Sequence, residues 1–244
     1  MKVLLDTTIQ INRIFKPKEK EKINEFIKSN DCYCSTYVLG EFMANIVNDF
    51  VKLYAIMQIE DDLTEVYQKI ADIYSPRAKT RMLYLVNDLA RIYKKDYDLI
   101  KERISCYPDM LIRRFYYGID KTLLNETNCT RAKAKVENSN SSMRLQGISC
   151  TKSNNKCDIQ NFWKEHLERV KGMQLEDIPD NMIPVLDKLE NGEEIPRGND
   201  CRSMGDCIIS LESLKVPDGK FLSTNKKDFE PICKYIGACL VELD

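Results

Sequence analysis

Two short apolar runs near opposite ends of the chain constrain its fold most. Lys2-Val3-Leu4-Leu5 stops at the carboxylate of Asp6, and Phe221-Leu222 stops at Ser223-Thr224-Asn225. After the first run Ile9, Ile11 and Ile14 recur at helical spacing, so the pattern reads strand, carboxylate, helix. Asp31 to Ser35 is a second strand candidate. Thr36 then opens a helix through Leu39, Phe42, Met43 and Ile46 to about Leu53. Between these two, residues 17–30 carry Ile23, Phe26 and Ile27 as a helical stripe. Near the other end, Pro217-Asp218-Gly219 is a turn and Lys220 to Ser223 a strand. Thr224 to Glu230 is a helix or turn, and Ala238 to Leu243 a closing strand. Strands alternating with helices imply an α/β fold, a parallel sheet with helices on both faces. In such open sheets ligands sit beyond the carboxyl ends of the strands, which is where Asp6 and Thr224-Asn225 fall.

The middle of the chain reads differently. Helices are predicted over 62–74, 76–105, roughly 107–125 and 158–174, with Tyr84, Leu85, Leu89, Ile92 and Tyr93 at a 3.6-residue period. Residues 137–157 are rich in Asn and Ser and read as an exposed polar loop. Gly198-Asn199-Asp200 is loop-like, and Ser203-Met204-Gly205-Asp206 reads as a capping box opening the apolar helix Cys207 to Leu214. The predicted organisation is therefore an α/β core made of 1–55 and 195–244, interrupted by a mainly helical insertion over 56–194.

The bulk composition removes several classes of function. Hydrophobic residues make up 43%, ordinary for a globular protein. Lys+Arg at 37 nearly cancels Asp+Glu at 38, which argues against a histone-like binder but permits a local basic patch. Such a patch lies between Arg77 and Lys135, where cations outnumber carboxylates two to one. Within it, Arg113-Arg114-Phe115-Tyr116-Tyr117 mixes cations with aromatics, which suits single-stranded RNA. The aromatics themselves read as helical core, with some of the basic residues facing RNA. Met1 to Asp6 contains no apolar signal segment, and no 18-residue apolar stretch occurs, so neither secretion nor membrane insertion is expected. A cytoplasmic chain keeps its ten cysteines reduced. Most of them read as small buried hydrophobes, with a zinc site as the rival reading: Cys32-Tyr33-Cys34 is too tightly spaced for one, and Cys150 and Cys157 lack a clear second pair. Trp163 and Phe162 read as core, and the one histidine, His166, as exposed and idle on a charged helix.

A single histidine among carboxylates at strand ends and helix starts fits hydrolysis by a hard cation better than Ser-His-Asp or Cys-His catalysis. Mg²⁺ and Mn²⁺ prefer oxygen ligands, so such a site needs carboxylates converging from separate elements. Carboxylates gathered without metal repel, so at least one should show a raised pKa.

Four segments carry a resemblance. Lys2 to Ile9 is similar to the opening strand of PIN domains, an apolar run ending in Asp-Thr. Ser35-Thr36-Tyr37-Val38-Leu39-Gly40-Glu41-Phe42 is similar to the second motif, a Ser or Thr followed by a helix bearing Glu. Gly205-Asp206-Cys207-Ile208 is similar to the third, an Asp opening an apolar helix. Phe221 to Phe229 is similar to the fourth, a strand ending in Thr, then polar residues, then Asp-Phe. The order of all four matches, over under half of the chain. The resemblance implies a Rossmann-like parallel sheet, a Mg²⁺ or Mn²⁺ ion held by Asp6, Glu41, Asp206 and Asp228, and cleavage of RNA. It also implies a homodimer or an antitoxin-like protein as partner. Thr7, Thr224 and Asn225, together with Arg113 and Arg114, are the expected substrate contacts.

Three departures bear on this. Thr8 stands where the family often has Asn. Lys226 stands where it often has Asp, so that Asp228, Asn225 or Asp200 takes that role. The chain between Glu41 and Asp206 is far longer than in compact members. Lys226 also supports a second reading, an RNA-binding or scaffold protein on the same fold in which an ammonium replaces the metal. A flap-type DNA nuclease would require further acidic residues that the chain lacks.

Overall fold

Val3, Leu4 and Leu5 are wholly buried, as are Phe221 and Leu222, because both runs form central strands of one parallel sheet. A central strand is covered on both faces, which is why neither run alternates polar with apolar. The computed structural model describes residues 1–119, 123–139, 142–150, 157–173, 178–192 and 198–243.

From the amino end the chain forms β1 (Lys2–Leu5), α1 (Thr7–Phe15), α2 (Pro17–Ser29), β2 (Asp31–Tyr33) and α3 (Thr36–Phe42). A π turn, Met43–Val47, leads into α4 (Asn48–Ile59). Then come α5 (Leu63–Ala71), α6 (Pro76–Ile92), α7 (Tyr97–Arg103), α8 (Tyr107–Tyr116) and the strands β3 (Lys135–Ser139) and β4 (Ser142–Gln146). Next are α9 (Ile159–Val170), α10 (Ile183–Glu190), α11 (Asn199–Ser203) and α12 (Gly205–Ser213). The chain closes with β5 (Lys220–Leu222), α13 (Lys226–Ile236) and β6 (Cys239–Val241). Among the described residues no helix is long and apolar enough to cross a membrane.

The chain divides into two compact units. The first comprises 1–40, 118–133 and 149–244; the second comprises 41–117 and 134–148. Residues 56–194, read from the sequence as one insertion, are thus shared between the two, and α9 and α10 belong with the sheet.

In the first unit the strands run parallel in the order β2-β1-β5-β6. Leu4 lies opposite Tyr33 on one side and Phe221 on the other, and the Asp6 N–H continues the ladder to the Leu222 carbonyl at 3.0 Å. Phe221 packs against Phe229 of α13, with ring centroids 5.0 Å apart. The expected mixed α/β fold with helices flanking a parallel sheet is present.

The second unit is mainly helical and uses buried carboxylates as joints. Asp88 of α6 accepts from the Tyr107 hydroxyl at 2.6 Å and from Arg91 and Arg114. Asp49 of α4 accepts from Arg81 at 2.6 Å and Lys52 at 3.1 Å. Each carboxylate can be buried because cations meet it there.

Several local expectations are corrected. The predicted 76–105 helix breaks after Ile92: Lys94 and Lys95 both take positive φ, and Asp96 caps α7 through the Leu99 N–H at 3.0 Å. The 107–125 helix stops at Tyr116, followed by Gly118 at φ 75°. Residues 137–139 and 142–146 of the expected polar loop instead belong to an antiparallel strand pair, with Val136 opposite Leu145 and Asn138 opposite Met143. Period-two placement of Val136, Met143 and Leu145 outweighs the Asn/Ser composition. Positions 140–141 and 151–156 of that loop lie outside the described residues. Ser203 is not a cap: it ends α11, Met204 occupies the cap position of α12 and is fully buried, and no capping box forms. Gly198-Asn199-Asp200 is not loop throughout, since Asn199 begins α11.

His166 is buried, not exposed. It follows Ile159, Phe162 and Trp163 along one face of α9, its ring 4.6 Å from that of Phe162, and neither ring nitrogen has a partner among the described residues. Burial holds its pKa below the ordinary histidine value, with Glu165 opposing. A depressed folded-state value means stability that is present above the unfolded pKa and lost as pH falls through the folded one. His166→Leu is therefore expected to flatten the acid side of the stability profile below about pH 6.5, read by urea denaturation at stepped pH. An unchanged profile would refute this.

Gly40 supports a second prediction. A Cβ there would stand 2.7 Å from Cys129 Sγ and 3.2 Å from the Arg131 Cβ. Gly40→Ala is expected to cost about 1–3 kcal/mol by overpacking, seen as a lower thermal midpoint.

Candidate functional site

The sheet order places its reversal between β1 and β5: from β1 the chain goes to β2 on one side, and later through β5 to β6 on the other. The crevice beyond the carboxyl ends of such a pair is where open α/β sheets bind ligands. Asp6 follows β1 directly, and Ser223 follows β5.

Asp6 is buried and heavily hydrogen-bonded. Its Oδ1 accepts from the Thr7 N–H at 2.6 Å. Its Oδ2 accepts from the Thr8 hydroxyl at 2.6 Å, the Ser223 hydroxyl at 2.8 Å and the Thr8 N–H at 3.3 Å. Asp6 thus caps α1 and ties it to the end of β5. The Ser223 Oγ in turn accepts from the Asn225 N–H at 3.0 Å, and Asn225 Nδ2 donates to Asp228 at 2.8 Å. Asn12 donates to the Thr224 hydroxyl at 3.1 Å, joining α1 to the same loop. One polar chain therefore links Asp6 to Asp228 across the switch point.

Burial raises the Asp6 pKa above the ordinary aspartate value, and the Thr8, Ser223 and Thr7 donors only partly oppose it. The expected raised carboxyl is found, but its cause is desolvation and not a neighbouring carboxylate. Among the described residues no cation pairs with Asp6.

The other expected ligands are placed as follows. Asp206 lies half-buried in the first turn of α12, where a helix amino end favours an anion. Asp228 lies half-buried in the first turn of α13. Asp200, in α11, pairs with Lys188 at 3.3 Å. Glu41 is in the last turn of α3, at the first residue of the second unit. Of the expected contacts, Arg113 is exposed and Arg114 is held by Asp88, within the second unit. Lys226 pairs with Glu242.

A hard divalent cation suits the oxygen donors at the switch point, and a carboxylate oxygen such as Asp6 Oδ1 has acceptor capacity beyond the one Thr7 N–H it accepts. The carboxylates are not gathered more tightly than this: among the described residues no three His, Cys, Asp or Glu side chains are grouped to hold a metal. Sequence reading missed Ser223, Asn12 and the hydroxyl role of Thr8. Their one available signal was position, since each falls within a few residues of a strand end or in the first helix.

Set beside protein-family models, curated proteins and solved structures, the chain matches none of them.

In the absence of divalent ions the charged Asp6 carboxylate is a cost to the fold. A raised folded-state pKa gives stability that is present at low pH and lost as pH rises through that value. Asp6→Asn is expected to be more stable than the wild type in EDTA, with the gap opening as pH rises past about 4. Equal thermal midpoints at acid and neutral pH would contradict this.

Proposed function

We propose that the chain is a metal-dependent nuclease of the PIN-like kind that hydrolyses RNA phosphodiester bonds, with Asp6 as the anchor of its Mg²⁺ or Mn²⁺. The observation that carries this reading is a buried carboxylate that has no cationic partner among the described residues and stands at the switch point of a parallel sheet. Burying such a charge is costly unless something positive meets it: buried Asp49 and Asp88 each have two cations, while buried Glu212 accepts from the Thr127 hydroxyl at 3.4 Å. Within the first unit Asp206 and Asp228 are the further oxygen donors available. A bound divalent ion would stabilise charge on the phosphate and make a bound water more acidic.

The chain's own residues prepare for this. The Thr7 and Thr8 amides and the Thr8 and Ser223 hydroxyls fix both Asp6 oxygens, so the carboxylate keeps one orientation. Asn225 fixes Ser223 through its N–H and Asp228 through its side chain. Thr224 is exposed beside them and offers a hydroxyl to substrate.

A second reading, RNA binding without cleavage, draws support from the lack of a grouped set of three ligands among the described residues. Its original support is weaker, because Lys226 is engaged by Glu242.

Cleavage of a mixed single-stranded RNA pool in Mn²⁺, Mg²⁺ or EDTA separates the two. The wild type is expected to cleave only with metal, and Asp6→Asn with Asp206→Asn to lose the activity. Ser223→Ala is expected to lower activity or metal affinity about 10–100-fold, as loss of a supporting hydrogen bond does. RNA retained but uncut under every condition would favour the second reading. Equal cleavage by the double variant would remove Asp6 and Asp206 from the site.

A further inference from the structure

Four cysteines from separate stretches of the first unit lie near one another, two of them beside one buried guanidinium. Arg131 is 3% exposed; its Nε donates to Cys129 Sγ at 3.5 Å, and its guanidinium lies 5.2 Å over the Tyr37 ring. The Tyr37 hydroxyl donates to the Cys201 carbonyl at 2.9 Å. Cys157 is brought in by its neighbour, since the Asp158 N–H donates at 2.8 Å to the carbonyl of Thr127, two residues before Cys129. The Cys150 carbonyl lies against Gly198, where a Cβ would come within 3.2 Å of it, and Gly198 leads into Cys201. All four thiols are free.

Arg131 makes this more than an accident of composition. Among the described residues no carboxylate pairs with it; what surrounds it is the Tyr37 ring and sulfur. A buried cation is normally met by an anion, and sulfur can supply one only as thiolate.

We propose that Cys129, Cys150, Cys157 and Cys201 form a tetrathiolate site for zinc, with Arg131 offsetting its negative charge. Four soft sulfur ligands are the donor set of closed structural zinc sites. Four thiolates around Zn²⁺ carry a net charge of −2, which a neighbouring guanidinium partly neutralises. Burial pushes the Cys201 thiol up to about 12, and the thiols of Cys129, Cys150 and Cys157 lie close enough to oppose its ionisation further. A metal ion is therefore required to displace those protons: four S–H bonds break, four Zn–S bonds form, and no electron is transferred. Among the described residues no three such side chains are grouped to hold a metal, so the site requires half-exposed Cys150 and Cys157 to move onto the ion as it binds. The site is independent of the oxygen donors around Asp6, which suit a different kind of cation.

The test is metal analysis of the full chain purified under reducing conditions, followed by Co²⁺ titration of chelator-stripped protein. Equimolar zinc and a tetrahedral thiolate–cobalt spectrum are the expected results. Cys150→Ser and Cys157→Ser should lose both, while Cys106→Ser and Cys239→Ser, at exposed cysteines outside the cluster, should keep them. Should the serine variants fail to fold, stripping the wild type with chelator should still lower its thermal midpoint, and zinc should restore it. A folded wild-type chain that retains no zinc and gives no thiolate–cobalt bands would overturn the proposal. So would iron with sulfide in place of zinc, or disulfides among the four cysteines.

Discussion

The first unit depends on the pairing of β1 with β5. Each strand is only three or four residues long, and almost the whole chain lies between them. Neither has a buried environment until the other is beside it, because each is apolar on both faces. The entropy of closing so long a loop rises only with the logarithm of its length, so the intervening helices cost the pairing little. This is the physical reason that a small parallel sheet can tolerate a second compact unit within its sequence.

That same pairing creates the polar chain at the switch point. Asp6 and Ser223 meet only because Leu5 and Leu222 lie in register. The arrangement satisfies the orphan amides at the start of α1 while keeping a carboxylate out of water. Capping and ligation are compatible uses of one side chain. A cap needs the carboxylate to accept from N–H groups, and a cation uses the lone pairs that remain. In the second unit Asp49 and Asp88 are buried on a different principle: arginines match them and tie helices together.

Much of the α/β layer was legible from sequence, because burial on both faces leaves uninterrupted apolar runs and helices leave a 3.6-residue stripe. The strand, carboxylate and helix at residues 2–15 follow from those two rules alone. What composition obscured were short elements with mixed content. The β3–β4 pair is Asn- and Ser-rich, yet three alternating apolar residues suffice to form it. His166 lies in a charged segment, but its spacing from Phe162 and Trp163 determines its burial. The partners of Asp6 were partly legible as positions and not as bonds, since a hydroxyl contributed by Ser223 depends on strand register. The convergence of Cys129, Cys150, Cys157 and Cys201 was not legible at all. Their spacings match no local pattern, and only the tertiary path brings them near one another.

The two outer strands, β2 and β6, are each three residues long. An unpaired strand edge is a template for another chain, and the hazard grows with the length and flatness of the edge. Here three residues leave each margin little unpaired backbone, β2 lying between α2 and α3 and β6 directly after α13. The sheet is therefore a poor seed for fibrillar growth, although its central strands are among the most apolar segments of the sequence. Its margins are kept short, while the side chains at its strand ends remain available for chemistry.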